Sequence, residues 1–383
     1  MNDETHKTSR AAAIWAYLGS AQITTYGLAF LMVLTFWGTL YQVQNGLYLA
    51  KERFFDSWFF LAAGVVPFPG TQLVLAVLML NLVVYLIRLL ARKKLTFGLL
   101  VIHLGLLLML GGGAITHLFA RESQLTLAEG ESGSASASYG DWEVAVWSRE
   151  GDMLDVMAYN SNDLKAGDVL LFEDAGLTLR VEEYYRNARA FQSTTPLTNA
   201  PLSSHNLSSL RSTKLAKEPG ENIAGAVITI EQEGGAPARA ILFGEDEVPK
   251  TFAHDGKEYT IALRRMRDPL PFVVTLLDFR KEMHPGTGIA RHFSSRVTVS
   301  SDGVERDMVI SMNKPLRDRG FTLFQASYRE EPGSDAQWST FAVMHNYGRI
   351  IPYIATSMVS FGLAWHFIVM MVRRARRSGG ASA

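Results

Sequence analysis

The sequence of 383 residues contains no cysteine. Disulfide bonds, thiol exchange, thioether attachment of a cofactor and iron–sulfur clusters are therefore excluded within this chain, because each of them needs a cysteine sulfur. Any thiol chemistry in which the protein takes part must be supplied by another protein.

Motifs of the common nucleotide-binding and acyl-transfer enzymes are also missing. The sequence has no phosphate-binding loop of the G-x-x-x-x-G-K-[ST] type and no G-x-S-x-G nucleophile elbow. Neighbouring carboxylates such as Glu182 and Glu183 are ordinary in exposed strands and turns. The sequence therefore predicts no catalytic side chain.

Long apolar runs are what the sequence has instead. A helix crosses a bilayer with about 20 mostly apolar residues, and four stretches satisfy this requirement: 23–41, 72–87, 97–119 and 350–372. The second contains the polar Asn81, which is tolerated when its amide bonds to other helices. The first starts late and no small-residue cleavage site follows it, so we expect a retained anchor rather than a signal peptide.

Basic residues cluster at three places beside these runs, and all three fall on one side of a four-span protein. Loops rich in Lys and Arg stay in the cytoplasm, so both termini are predicted to be cytoplasmic and residues 121–349 to lie outside. The outer segment carries 25 basic and 33 acidic residues, which gives no basic face for nucleic acid. The clusters are Lys7 and Arg10, then Arg88, Arg92, Lys93 and Lys94, then Arg373, Arg374, Arg376 and Arg377.

The predicted fold class is thus an integral membrane bundle of four helices with a large all-β domain between helices three and four. The corresponding parts are a cytoplasmic N-terminus (1–22), three helices with an outer loop (23–119), the outer domain (120–349), the fourth helix (350–372) and a basic tail (373–383). In the outer loop, residues 47–60 mix aromatic and charged side chains. They fit either an amphipathic helix at the headgroups or a hairpin packed on the bundle.

The outer domain contains short β-type runs separated by turn signals, which favour an antiparallel sandwich or an open barrel. A stretch rich in Ser, Asn and Pro, residues 194–220, is predicted to be an irregular, mobile loop. The predicted strands are 142–147, 177–184, 226–231, 238–243, 258–263, 272–278, 296–300 and 321–328.

His103 is the most informative single residue, because it lies inside the third apolar run. It stands six residues, or about 9 Å at 1.5 Å per residue, from the predicted cytoplasmic end. Ionisable groups at such depth mark function by default, and haem iron is a natural partner for a neutral imidazole. Gly98, Gly105 and the glycine triplet at 111–113 could let a flat macrocycle or another helix approach. A structural histidine bonded to a facing group remains the alternative.

Three further histidines extend this hypothesis. His366 in the fourth run reaches nearly the depth of His103, so a bis-histidine site within the chain is conceivable if helices three and four adjoin. His117 lies near the same helix face as His103 but at the outer surface, and His345 lies at the outer mouth of helix four. These two could guide haem outward, or could be ordinary interfacial histidines.

The remaining histidines lie in the outer domain without the spacing of metal ligands. We expect them to be surface or loop residues, and two of them, His284 and His292, flank a glycine-containing loop. They are His205, His254, His284 and His292.

Blocks along most of the chain resemble one family, the ResB (CcsB) proteins of System II cytochrome c biogenesis. The early blocks are Gly38-Thr-Leu-Tyr-Gln, Asp56-Ser-Trp-Phe-Phe, Leu80-Asn-Leu, His103-Leu-Gly with the following glycine triplet, and Leu127-Ala-Glu-Gly-Glu. The most specific lie late: 270–280, Pro285-Gly-Thr-Gly and 313–328, whose end Phe-Gln-Ala-Ser-Tyr is similar to the family's Y-Q-S-S-Y. Residues 130–260 match only loosely.

This resemblance implies a multi-pass protein of the inner membrane that works with a ResC (CcsA) protein bearing a tryptophan-rich haem motif. Together they would carry haem b outward and join it to a C-x-x-C-H sequence of apocytochrome c. A histidine of the third helix is expected to ligate haem in such proteins, opposite a histidine of the partner, and His103 is the matching position. The seven tryptophans here are dispersed, so the resemblance implies an accessory subunit of a cytochrome c synthetase (haem lyase) complex.

Two other functions stay open at this point. The chain could be a structural scaffold, with haem carried wholly by the partner. It could also be a membrane redox protein with b-type haem, for which His103 with His366, and His117 with His345, would supply paired ligands.

Overall fold

The computed structural model describes residues 10, 12–93, 95–150, 153–192, 202, 207–231, 237–246, 248–286, 290–330 and 337–379. The chain divides into two compact units. The helical unit comprises Met1–Arg121 and Asn346–Ala383, and the β unit comprises Glu122–His345.

Four long helices dominate the helical unit: α1 (Ala21–Asn45), α2 (Thr71–Ala91), α3 (Phe97–Phe119) and α4 (Ile351–Gly379). Each is long and apolar enough to cross a membrane, and the described residues contain four such helices. The prediction of four apolar helices and an all-β domain is confirmed. The helix α4 extends beyond the predicted end at residue 372, because the Arg-rich tail contains good helix formers and no glycine before Gly379.

Asn81 joins α2 to α1 and to the segment that precedes it. Its amide Nδ2 donates to the carbonyl oxygens of Leu18 (2.6 Å) and Ser20 (3.0 Å), and its Oδ1 accepts from the hydroxyl of Thr24 (2.7 Å). The residue is buried. All of its polar atoms therefore have partners inside the bundle, as a membrane environment requires.

Helices α3 and α4 touch at the level of their backbones. Gly98, Gly105 and Gly112 recur every seven residues and so share one face of α3. A Cβ atom at Gly105 would lie 2.7 Å from Cγ2 of Val359 and 3.0 Å from the carbonyl oxygen of Ala355. Side chains larger than hydrogen at this face would push the two helices apart.

The loop between α1 and α2 combines a short helix with a hairpin. Residues Leu47–Ala50 are α-helical, Lys51–Phe55 form a π-helical turn, and strands β1 (Phe59–Ala62) and β2 (Val66–Pro69) pair as a hairpin. Phe54 and Phe60 are buried, with ring centroids 5.5 Å and 5.6 Å from that of Trp37 in α1. The structure thus favours a hairpin packed on the bundle. The alternative prediction, one amphipathic helix over residues 47–60, is wrong.

The described residues of the β unit form sixteen strands, and every pairing described between them is antiparallel. They are β3 (Arg121–Ala128), β4 (Ser132–Glu150), β5 (Met153–Asn160), β6 (Val169–Phe172), β7 (Leu177–Tyr185), β8 (Ala188–Gln192), β9 (Leu207–Ser212), β10 (Gly225–Glu231), β11 (Ala238–Phe243), β12 (Lys250–His254), β13 (Lys257–Met283), β14 (Ala290–Ser301), β15 (Val304–Ser311), β16 (Leu316–Asp318), β17 (Phe321–Glu330) and β18 (Gln337–His345).

Two hydrophobic cores organise these strands. The four-stranded sheet β11-β10-β7-β6 packs against β4, β12 and β13 of a ten-stranded sheet, and forms a sandwich around Val144, Leu179 and Ile228. Further along, the large sheet runs β15-β14-β13-β4-β3-β18-β17-β16. Its two ends contact each other, so it curls around a second core that contains Val274 and Phe341. Both predicted architectures, the sandwich and the open barrel, are therefore present.

Two predictions about the strands need correction. The predicted runs 258–263 and 272–278 belong to one continuous strand, β13, although Pro269 and Pro271 lie between them. Residues 207–212, predicted to be part of an irregular loop, form β9, because Leu207 and Leu210 are buried against Val227 and Ile241. The predicted mobile segment otherwise lies largely outside the described residues.

The glycine face gives a direct test of the helix packing. Replacing Gly105→Leu should destabilise the helical unit by about 1–3 kcal/mol, the usual cost of overpacking. Gly111→Leu is the matched control, because no atom lies within 4 Å of the position its Cβ would take. The measurement is thermal unfolding of the detergent-solubilised chain, and equal melting curves for the two variants would contradict the packing described.

Candidate functional site

His103 has one ring nitrogen engaged and one open. Its Nδ1 lies 2.7 Å from the carbonyl oxygen of Leu99, one helical turn earlier. A carbonyl oxygen can only accept, so Nδ1 carries the proton and Nε2 keeps its lone pair. Nε2 has no hydrogen-bond partner among the described residues. A neutral imidazole oriented through its other nitrogen is the usual state of a metal-binding histidine.

Tyr85 of α2 fixes the plane of this imidazole. The two rings stack with centroids 5.3 Å apart and an interplanar angle of 29°. His103 therefore faces α2, and it is half-buried rather than sealed in the bundle. The stacking covers one face of the ring but not its edge, so Nε2, which lies on that edge, is available to a ligand.

His366 lies against a different face of α3. It packs on Gly98, whose ideal Cβ would be 3.1 Å from Cβ of His366. His103 is five residues after Gly98, which turns its side chain about 140° around the helix. Helices α3 and α4 do adjoin, but the structure does not bring His103 and His366 together.

The glycines divide between two environments. Gly98, Gly105 and Gly112 are covered by α4, so on this face they serve a neighbouring helix. Gly111 and Gly113 have nothing within 4 Å of their ideal Cβ positions. Space for a flat macrocycle is therefore not provided by the α4 face of α3.

His117 is engaged with the loop between α1 and α2. The amide nitrogen Nε2 of Gln72 lies 2.7 Å from Nε2 of His117 and 2.7 Å from the carbonyl oxygen of Asp56. An amide nitrogen only donates, so Nε2 of His117 accepts and its lone pair is used. Its Nδ1 lies 3.6 Å from Oδ1 of Asp56. These contacts give His117 a structural role, in which it fastens the end of α3 to α2 and to the loop between α1 and α2.

His345 ends strand β18 and belongs to the β unit. Its ring stacks on Phe321 with centroids 4.2 Å apart and an interplanar angle of 10°. Its position at the outer mouth of helix four, and a role in guiding haem, stay predictions. Its side chain packs within the sheet of the β unit.

His254 was expected at the surface, and this expectation is wrong. It is only 5% exposed, in strand β12, and among the described residues its Nε2 has no hydrogen-bond partner, with Oδ2 of Asp255 3.6 Å away. Lys250, Phe252 and His254 alternate on the buried face of β12, a periodicity visible in the sequence. His284 is exposed, His292 is half-buried in β14, and His205 lies outside the described residues.

Glu182, one of the two neighbouring carboxylates noted in the sequence, takes part in a cross-strand interaction of the β unit. Glu182 accepts from the hydroxyl of Thr229 and pairs with Nε of Arg239 at 2.8 Å. The Thr229 hydrogen bond, followed by the Arg239 hydrogen bond and charge, lowers the pKa of Glu182. No group of metal-ligating side chains with three or more members occurs within the described parts of the chain.

Two of the sequence blocks that carry the ResB resemblance, Leu127-Ala-Glu-Gly-Glu and 270–280, meet in the β unit. The backbone N–H of Phe279 donates to Oε1 of Glu129 (2.7 Å), and that of Gly130 donates to the carbonyl of Leu276 (2.7 Å). The Leu127-Ala-Glu-Gly-Glu turn is thereby fastened to strand β13. These motifs thus describe one folded substructure rather than separate binding elements.

A buried polar network explains the Gln325-Ala-Ser-Tyr block. The hydroxyl of Ser295 lies 2.7 Å from Oε1 of Gln325 and 2.8 Å from the hydroxyl of Ser339. Gln325 Nε2 also donates to Ser339 Oγ at 2.8 Å. Both serines are 0% exposed. A bulge in β17 between Gln325 and Ser327 directs the amide into this network.

The geometry describes a class of protein: helices long and apolar enough to span a membrane, two of which contain the histidines His103 and His366, joined to a large antiparallel β unit. Comparison with known proteins then supplies a family. Residues 245–351, from the second half of the β unit to the start of α4, match the model of the ResB-like family. The ResB resemblance indicated by the sequence blocks is confirmed.

One curated relative supports the same relationship. The chain is 24% identical over 143 residues to Protein NrfI of Wolinella succinogenes. The matched segment makes up 33% of this chain and 15% of the relative. The chain therefore spans only a small part of that protein's length.

The network around Gln325 predicts a specific loss of stability. Replacing Gln325→Leu leaves two buried serine hydroxyls short of a partner, and should destabilise the β unit by about 1–3 kcal/mol. Thr298→Ala is the control, because it removes an exposed cross-strand bond to Asp307 (2.7 Å) and should cost little. Denaturant unfolding of the purified chain measures both, and a larger loss in Thr298→Ala would refute the assignment.

Proposed function

We propose that this chain acts in cytochrome c biogenesis as a haem-handling membrane subunit. The observation that carries the proposal is His103, an imidazole inside an apolar helix with Nδ1 bound to Leu99 and Nε2 open. The match of residues 245–351 to the ResB-like family supports a role in cytochrome c biogenesis. Haem is the substrate here, and His103 holds its iron during transfer.

His103 supplies one axial ligand, and the second comes from outside the chain. His366 is turned to another face of α3, and Nε2 of His117 accepts a hydrogen bond from Gln72. A ResC (CcsA)-type partner with its own histidine completes the coordination. This arrangement differs from that of membrane redox proteins with b-type haem, in which both axial ligands generally come from one helix bundle.

The direction of transfer follows from the basic clusters. Arg88 lies in the last turn of α2 and Arg92 directly follows that helix, so both precede α3. Haem would therefore enter from the cytoplasm at the N-terminal end of α3, before His103. The β unit is then on the outside, where it organises the partner and apocytochrome c. Haem leaves on that side for attachment to the apocytochrome.

Attachment itself needs no catalytic side chain from this subunit. Thioether bonds form between haem vinyl groups and the thiols of the apocytochrome. Holding these groups close together in the correct orientation accounts for much of the rate acceleration. The chain has no cysteine, so it cannot compete for the vinyl groups. Its role is to bind and position.

The ligand assignment is tested with His103→Gly. Haem should be lost from the complex of this chain with its partner, and the yield of holocytochrome c should fall by about tenfold or more, since an axial ligand is missing. Added imidazole should restore both, because it fills the space left by the side chain.

Two histidine variants serve as controls for this test. His366→Gly and His117→Gly should retain the haem absorption spectrum of the complex, since neither supplies an axial ligand. An unchanged spectrum and yield in His103→Gly would refute ligation by His103. Loss of haem in His366→Gly with imidazole rescue would instead establish an internal pair.

The absence of cysteine allows a clean test of orientation. We expect Glu305→Cys in the β unit to react with a membrane-impermeant maleimide on intact cells. Arg92→Cys, beyond the end of α2, should react only after permeabilisation. The opposite labelling pattern would invert the proposed direction of transfer.

A further inference from the structure

The helical unit contains a small pocket beside the end of α2. It has a volume of about 260 Å³ and lies between the last two turns of α2 and residues 16–20, which precede α1. Both walls belong to the helical unit. Tyr85 is shared by this pocket and by the surroundings of His103, but the function proposed above assigns no ligand to the pocket.

Two arginines stand on the side of α2 that lines the pocket. Tyr85, Arg88, Leu89 and Arg92 are separated by three, one and three residues, so they form a single stripe along the helix. Arg88 and Arg92 are about one turn apart. The stripe therefore sets two guanidinium groups beside an aromatic and an apolar side chain.

Arg88 is held in place and keeps unused donors. Its Nη1 donates to the carbonyl oxygens of Ala16 (2.5 Å) and Gly19 (3.1 Å). Gly19 packs directly on it, since an ideal Cβ there would lie 3.0 Å from Cδ of Arg88. Nε and Nη2 of Arg88 have no partner among the described residues. These two nitrogens form the fork through which a guanidinium binds a phosphate with two parallel hydrogen bonds.

Arg92 adds a second charge without a counterion. Its backbone N–H donates to the carbonyl oxygen of Arg88 (3.1 Å). Its side chain is exposed and forms no hydrogen bond or ion pair with a described residue. Two positive charges thus meet at the pocket without a negative one.

The nearest carboxylates described in the helical unit lie at the other end of α2. The sequence has no Asp or Glu in residues 5–51, 57–121 or 346–383. Glu52 and Asp56 belong to the loop before α2, and Gln72, which bonds to the carbonyl oxygen of Asp56, is sixteen residues or about 24 Å along the helix from Arg88. The countercharge for Arg88 and Arg92 therefore has to come from a ligand or from solvent.

The setting of the pocket indicates the source of an anion. Helix α2 is long and apolar enough to cross a membrane, so in a bilayer its basic end lies at the level of the headgroups. Basic pockets between membrane helices bind the headgroups of acidic phospholipids. A zwitterionic headgroup also carries an ammonium group, which the two arginines repel. The charges thus favour a phospholipid with a net negative charge.

We propose that this pocket binds the phosphate of an anionic phospholipid, with Nε and Nη2 of Arg88 and the guanidinium of Arg92 as donors. Tyr85 and Leu89 supply apolar surface for the part of the lipid next to the phosphate. The ligand is a lipid of the surrounding bilayer and not a substrate. The inference is independent of haem ligation by His103.

The test measures lipid adducts of the full chain by native mass spectrometry, after purification in an uncharged detergent. Dioleoyl phosphatidylglycerol should bind with saturation at a single high-affinity molecule. Dioleoyl phosphatidylcholine has the same acyl chains and a phosphate but no net charge, and it should bind about tenfold more weakly. Inorganic phosphate at equal concentration should not displace the lipid, because it makes no apolar contacts.

Variants of the full chain locate the site. Arg92→Gln should weaken phosphatidylglycerol binding by about tenfold, the usual effect of losing a charge-assisted hydrogen bond. Ala16→Trp should also weaken it, without a change of charge, because the larger side chain fills the pocket from its other wall. Thermal unfolding of each variant shows whether the helical unit is intact.

Arg373→Gln is the matched control. Arg373 is an exposed arginine of the basic cluster in α4 and does not line the pocket. Its replacement should change the affinity for phosphatidylglycerol by less than about twofold, because salt screens charges that do not contact the lipid.

Three outcomes would overturn the inference. Equal affinity for the two lipids would mean that acyl contacts alone explain binding. Equal losses in Arg92→Gln and Arg373→Gln, with none in Ala16→Trp, would indicate a diffuse attraction by basic residues instead of a pocket. Displacement of the lipid by inorganic phosphate at equal concentration would indicate a site for a soluble anion. None of these results bears on haem ligation by His103, which is measured separately in the complex.

Discussion

An imidazole inside an apolar helix must satisfy its polar atoms without water, and the rest of the proposed site depends on how His103 does so. The helix offers one acceptor within reach, the carbonyl oxygen of Leu99. That bond places the proton on Nδ1 and directs the lone pair of Nε2 away from the backbone. A bundle that paired both nitrogens internally would hold the histidine in a structural role. Leaving one nitrogen open is what makes ligation possible.

The packing of α3 against α4 decides where that open nitrogen points. Glycines on one face allow close backbone contact, and this contact fixes the rotation of α3 about its axis. His103 is consequently presented towards α2, where Tyr85 stabilises the ring plane. The glycines and the histidine thus act together although they occupy different faces. In the proposed function, the rotation of this one helix is the reason that the second iron ligand would come from another protein.

Much of this architecture could be predicted from the sequence, and the exceptions have physical reasons. The length of the apolar runs identified the helices, because a chain segment that crosses a bilayer must pair all of its backbone polar groups and a helix does so within the segment. Alternation identified strands such as β10, but two prolines concealed the continuity of β13, which has a gap in its pairing with β4 between Pro269 and Val274. The burial of His254 was missed, because scattered histidines were judged by metal spacing rather than by strand periodicity. The tautomer of His103 depends on side-chain geometry and no sequence pattern reports it.

The proposed ligation through a single imidazole bears on how haem could leave this chain. A site that would hold iron through one axial ligand would release haem when a competing ligand arrives. Transfer would then need no catalytic residue from the chain, because exchange of one axial ligand is enough.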